Sequence, residues 1–262
     1  MARLRWFVIW LFLPSLLFAD SATRHEAILI KEYNGSHQEQ FTEQFDRVRL
    51  LVRQAQLEAS ARLGLMQYQE GFQYPLTIRF EDGAPRGIES ALAYVRLYQS
   101  ATGFGQELVV NLEEMAKNPA DFDQVFTHEM THAVLNDAVG GEASMRIPHW
   151  VQEGLAQFIS QEGDARVEHA AQQFRRSQVH ALLYDLEGPY SGYAYPQYYL
   201  AIKYMHDKFT VNAVQALVRD LIAGQAAHAA LEDSTGIPWD KFQLNLREYS
   251  LSILKDKAKP DF

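Results

Sequence analysis

The sequence predicts an α+β fold, with strands gathered in the N-terminal half and little but helix beyond Gly141. Three observations predict it. Short apolar runs bounded by turn residues cease after Leu112. A long repeat of apolar residues at three- and four-residue steps precedes most of them, which is the spacing of one buried helix face. From Pro148 onward every apolar segment keeps that helical spacing.

Composition sets the outer bounds. The chain has 262 residues, of which 47% are hydrophobic and 22% charged, as in ordinary folded proteins. That length buries a real core in one large domain or two lobes. The formal charge of -9 excludes a nucleic-acid binder, because no basic stripe is present to neutralise phosphates. No internal repeat or low-complexity tract interrupts the chain.

Residues 1–19 read as an export signal. Arg3 and Arg5 give a positive start, Trp6 to Phe18 form the apolar segment, and Ala19 suits the cleavage position. The apolar run is short of the roughly twenty residues that a membrane span needs. A cut after Ala22 and an uncleaved anchor are the alternatives. With no cysteine, the chain has neither a disulfide framework nor a lipid-bearing residue after the signal. A bacterial periplasmic or secreted location is therefore expected, with no stable membrane insertion once the signal is cut.

The elements follow in order. Ala27 to Glu32 is a short strand stopped by Asn34-Gly35. Phe41, Phe45, Val48, Leu51, Val52, Ala55 and Ala59 mark a helix from about Ser36 to Leu63, ended by Gly64. Leu76 to Phe80, Ala91 to Tyr98 and Gln106 to Leu112 are further strands, the last two joined by a turn at Thr102 to Gly105. Asn118 and Pro119 can start the next helix, Phe122, Val125, Phe126 and Leu135 can anchor it, and Gly140-Gly141 ends it. Pro148 opens another helix, which Gly163 can close. Residues 165–183, 196–209, 211–223, 226–231 and 239–254 are helical thereafter.

The helix begun near Pro119 contains His128-Glu129-Met130-Thr131-His132. Positions i and i+4 stack on one helix face, so His128 and His132 present two imidazoles to one point. That is how a helix offers two nitrogen ligands to one Zn²⁺. Glu129 is offset by about a third of a turn, beside the metal position. A carboxylate there can take a proton from water activated at the metal, as a general base must.

The run His128 to Val134 resembles the active-site helix of thermolysin-like enzymes. Beyond it, Trp150-Val-Gln-Glu153-Gly-Leu-Ala156, whose Glu153 follows His132 by twenty-one residues, looks like the W-x-x-E-G-x-A segment of the gluzincin metallopeptidases. The resemblance implies a zincin-like, two-lobed metalloprotease, with residues 20–140 as the sheet-bearing lobe and 141–262 as the helical lobe. It implies His128, His132 and Glu153 as zinc ligands at the floor of the cleft, with Glu129 as base. Ala194-Tyr195-Pro-Gln197 resembles the A-Y-x-Q segment of related proteins, which makes Tyr195 the candidate oxyanion donor and Tyr193 the next. In zincins an edge strand beside the zinc helix pairs with extended substrate, a role open to Gln106 to Leu112.

Two departures qualify the likeness. Thermolysin-like enzymes carry an acid one turn after the glutamate ligand, which orients a zinc histidine, whereas this chain has Gln157. The G-x-M-E-N element of gluzincin aminopeptidases has no match at Gly103 to Glu107, so an endopeptidase is expected. His149 stands four residues before Glu153 and shares its helix side, but the resemblance gives the metal to Glu153. The other histidines, His25, His37, His169, His180, His206 and His228, have no partner at ligand spacing. The expected function is zinc-dependent hydrolysis of peptides or proteins in the cell envelope. The alternative is an envelope binding or assembly protein with this fold and little turnover.

Overall fold

The computed structural model describes residues 24–33, 35–83, 92–100, 103–117, 122–177, 186–188 and 194–258. The export-signal segment, the Asn118-Pro119 helix start and Tyr193 lie outside these residues. Among the described residues, strands β1 (Ile28–Leu29), β2 (Leu76–Glu81), β3 (Ala93–Ser100) and β4 (Gly103–Asn111) form one mixed sheet in the order β1-β2-β4-β3. β2 runs parallel to both β1 and β4, while β3 and β4 form an antiparallel pair.

This order decides a point that the sequence leaves open, whether the strand at Gln106 to Leu112 lies at the edge. After β2 the chain skips one position to lay down β3, and the hairpin returns β4 to the gap between them. Among the described residues the edges are therefore β1 and β3, and the Gln106 segment is interior. Strand periodicity sets which side chains share a face, but it does not carry neighbour order. Along β2 and β4, Leu76, Ile78, Phe80, Leu108 and Val110 are buried in the core. The opposite face carries an ion-pair ladder in which Glu107 meets Arg96 at 2.5 Å and Arg79 at 3.4 Å.

Helix α1 (Gln38–Leu63) ends where Gly64 takes a left-handed conformation with φ 75, a position that favours glycine. Its buried stripe of Val48, Val52, Ala55, Ala59 and Leu63 packs on α3 (Phe122–Val139). The short α2 (Leu112–Lys117) links the sheet to α3. A 3₁₀ turn at Gly141–Arg146 then leads to α4 (His149–Ser160) and α5 (Gly163–Ser177). α6 (Ala194–Ile222), α7 (Ala227–Thr235) and α8 (Trp239–Lys257) complete the helices. The expected break between residues 209 and 211 falls at Thr210, whose φ of 74 and ψ of 172 interrupt α6. None of the described helices is long and apolar enough to cross a membrane.

Gly163 does not close α4. The helix ends on Gln161, which is left-handed at φ 65. Gly163 instead lies beneath the Tyr199 ring, where a Cβ would meet ring carbon at 2.1 Å. The glycine that the spacing marks as a helix stop serves close approach instead.

Asp137, near the end of α3, fixes the approach to β2. Its carboxylate accepts the backbone N–H groups of Gln73 at 2.7 Å and Tyr74 at 2.8 Å. Burial outweighs these two bonds and pushes its pKa up from 3.8 to about 6. Because the folded value exceeds the unfolded one, Asp137 contributes its full stability below about pH 4 and loses it as pH rises through 6. Relative to an Asp137→Asn variant, the wild type is expected to lose about 2–3 kcal/mol between those limits. Denaturant unfolding of both proteins across this range checks it; parallel curves would contradict it.

Candidate metal centre

α3 carries His128 and His132 on one face, and that face meets α4. The helix is buried on most sides by Phe122, Phe126, Met130, Ala133, Val134 and Leu135, so its two imidazoles are held by a packed core. Thr131 donates its hydroxyl to the Thr127 carbonyl at 2.7 Å, which satisfies a polar group on the buried side.

The features of the Trp150 to Ala156 segment each have a packing reason. Trp150 is fully buried and its ring lies 5.7 Å from that of Trp239. Gly154 lets α4 approach α6, since a Cβ there would fall 2.5 Å from the Tyr198 carbonyl oxygen and 2.9 Å from Ile202. Ala156 is also fully buried. Gln152 donates to the Ile147 carbonyl at 2.8 Å, tying α4 to the connection that precedes it. Gly154→Ala is expected to destabilise the fold by about 1–3 kcal/mol, despite alanine's better helix propensity, because backbone is the obstacle. An unchanged unfolding midpoint would show that α4 and α6 separate freely.

This packing brings Glu153 to the two histidines. Nε2 of His128 and Nε2 of His132 lie 3.1 Å apart. Glu153 Oε2 is 3.6 Å from the first nitrogen and Oε1 is 3.4 Å from the second. All three ligand atoms fall within 4.8 Å of one another, the one such grouping of potential metal ligands among the described residues. With Zn–ligand bonds of about 2.0–2.1 Å, tetrahedral geometry separates neighbouring ligand atoms by roughly 3.3 Å. The observed separations bracket that value, so the residues fit a zinc ion and need little movement to hold it.

Charge is concentrated here. Burial alone would push His128 down, but the Glu153 and Glu162 carboxylates override it and raise its pKa to about 10. Burial also opposes ionisation of Glu153, yet His132 and His128 hold it well below the usual carboxylate range. Glu129 is raised by burial, with His128 and His132 opposing and Glu153 reinforcing the shift. Its Oε2 accepts the backbone N–H of Val95, on the edge strand β3, at 2.8 Å. The base candidate is thus held by one oxygen.

The remaining candidates are placed as follows. Tyr195 opens α6, and its ring lies 6.1 Å from that of His149. His149 also meets the Tyr198 ring, so it takes part in an aromatic cluster outside the three-ligand group. Gln157 does not reach an imidazole: its amide nitrogen donates to the Glu153 carbonyl at 3.2 Å, and its buried Oε1 has no hydrogen-bond partner among the described residues. Glu162, which the sequence reading passed over, lies with Oε1 2.8 Å from Nδ1 of His128. Its distance from the motif along the chain hid it; only the turn after α4 carries it back to the site.

No protein-family model, curated protein or solved structure matches the chain.

Proposed function

We propose that the protein is a zinc-dependent endopeptidase of the gluzincin type, with a zincin-like arrangement of lobes. The observation that carries this reading is the spacing of His128, His132 and Glu153, which suits the edges of a zinc tetrahedron and, among the described residues, leaves its fourth corner without a protein ligand. A three-ligand site with an open position is the form used for catalysis, whereas structural zinc is closed by four.

A zinc ion held there supplies Lewis acidity, acidifying water and polarising a carbonyl. The chain's own residues do the rest. Glu129, its pKa raised by burial, takes the proton of the attacking water and returns it to the amine that leaves. The Val95 N–H fixes one oxygen of that carboxylate, so the base need not be ordered during reaction. Tyr195 is the candidate donor to the developing oxyanion, standing on the helix that packs against α4. The exposed edge of β3 is where an extended peptide would pair.

The test is to incubate the mature protein with a mixed peptide pool and read products by mass spectrometry. Internal cleavage is expected, abolished by a chelator and restored by zinc. A fully zinc-loaded protein that cleaves nothing in the pool would favour the binding-protein alternative.

A further inference from the structure

α4 terminates because Gln161 is left-handed, φ 65 and ψ 11, without being a glycine. The reversal it makes places Glu162 beside His128 on the neighbouring α3. One carboxylate oxygen lies 2.8 Å from Nδ1, the nitrogen of His128 that does not face Glu153 and His132, as an ion-pair contact whose atoms are not aligned as a hydrogen bond. In an imidazole ligand, the group on one ring nitrogen sets the tautomer and ring plane, and a negative charge there makes the other nitrogen a better donor. Arg166, one turn into α5, forms an ion pair with the same Glu162 oxygen at 3.3 Å. Its guanidinium carbon also stands 5.3 Å above the Tyr195 ring. Gln157 can supply none of this, being neutral and bonded within its own helix.

We propose that Glu162 is the positioning residue for His128, and that Arg166 ties it to Tyr195, so that one chain of contacts sets both the metal-facing imidazole and the candidate oxyanion donor. The inference rests on the proposed zinc site. A purely structural role is the rival: an acid beside the start of α5, favoured by the helix dipole and paired with Arg166, would affect stability and leave metal binding alone.

Metal-free mature protein, titrated with Zn²⁺ against a chromophoric chelator and with Co²⁺ for its visible spectrum, separates these. If the wild type binds no zinc, the metal reading itself fails and this inference with it. If the wild type binds zinc, Glu162→Gln is expected to weaken it by about 10–100-fold and to alter the cobalt bands, while the melting temperature of the metal-free protein moves little. Arg166→Met is expected to act in the same direction by under about 10-fold, and to add nothing in the Glu162→Gln background, because Arg166 acts through that carboxylate. Should Glu162→Gln not fold, Glu162→Asp keeps the charge but falls short of Nδ1, and the same loss is expected in smaller measure. Zinc affinity within about threefold of wild type, with unchanged cobalt bands, would overturn the role of Glu162. Losses that simply add in the double variant would overturn the link through Arg166.

Discussion

Glu129→Gln is expected to retain its zinc and its fold while peptide hydrolysis falls by about 10²–10⁴-fold, the usual contribution of a positioned general base. The amide has nearly the volume of the carboxylate, so the core around α3 is not disturbed. Its oxygen can still accept the Val95 N–H, which preserves the one contact that fixes the side chain. What the amide cannot do is accept a proton from water at pH 7. Hydrolysis and metal content measured on the same preparation check this. A Glu129→Gln protein that cleaves as fast as wild type at equal zinc content would remove Glu129 from the chemistry.

Glu153→Ala is expected to lower zinc affinity by more than the ~100-fold that loss of an outer partner can cost, because it deletes a direct ligand. His128 and His132 would remain on their helix, but two imidazoles alone leave half the tetrahedron to water. Competition against a chelator measures the effect. Undiminished zinc in this variant would move the third ligand elsewhere, with His149 the first alternative by position, since it opens the same helix.

The candidate site was legible in the sequence where its geometry is local. The i, i+4 spacing that pairs His128 with His132 is a property of any α-helix, and the periodic stripe of α1 is likewise a one-dimensional signal. The meeting of Glu153 with these histidines depends on α4 packing against α3. Spacing cannot supply that contact; the motif resemblance pointed to it. Glu162 was not legible at all. It reaches His128 only because Gln161 turns left-handed, and a non-glycine residue in that conformation has no reliable signature in sequence. Gly163 misled for the reverse reason. A glycine after a helix reads as a stop, but here the need is room beneath Tyr199. Strand order was hidden too, since the placement of β4 between β2 and β3 is decided by how the chain crosses the sheet.

The metal centre is tested most directly by X-ray absorption at the zinc edge of the zinc-loaded protein. The expected result is four-coordinate zinc with two imidazole nitrogens at about 2.0–2.1 Å and oxygen ligands, one from Glu153 and one from solvent, at about 2.0–2.2 Å. Imidazole scattering absent from the spectrum, or a shell of oxygens alone, would contradict the assignment of His128, His132 and Glu153 as the ligands.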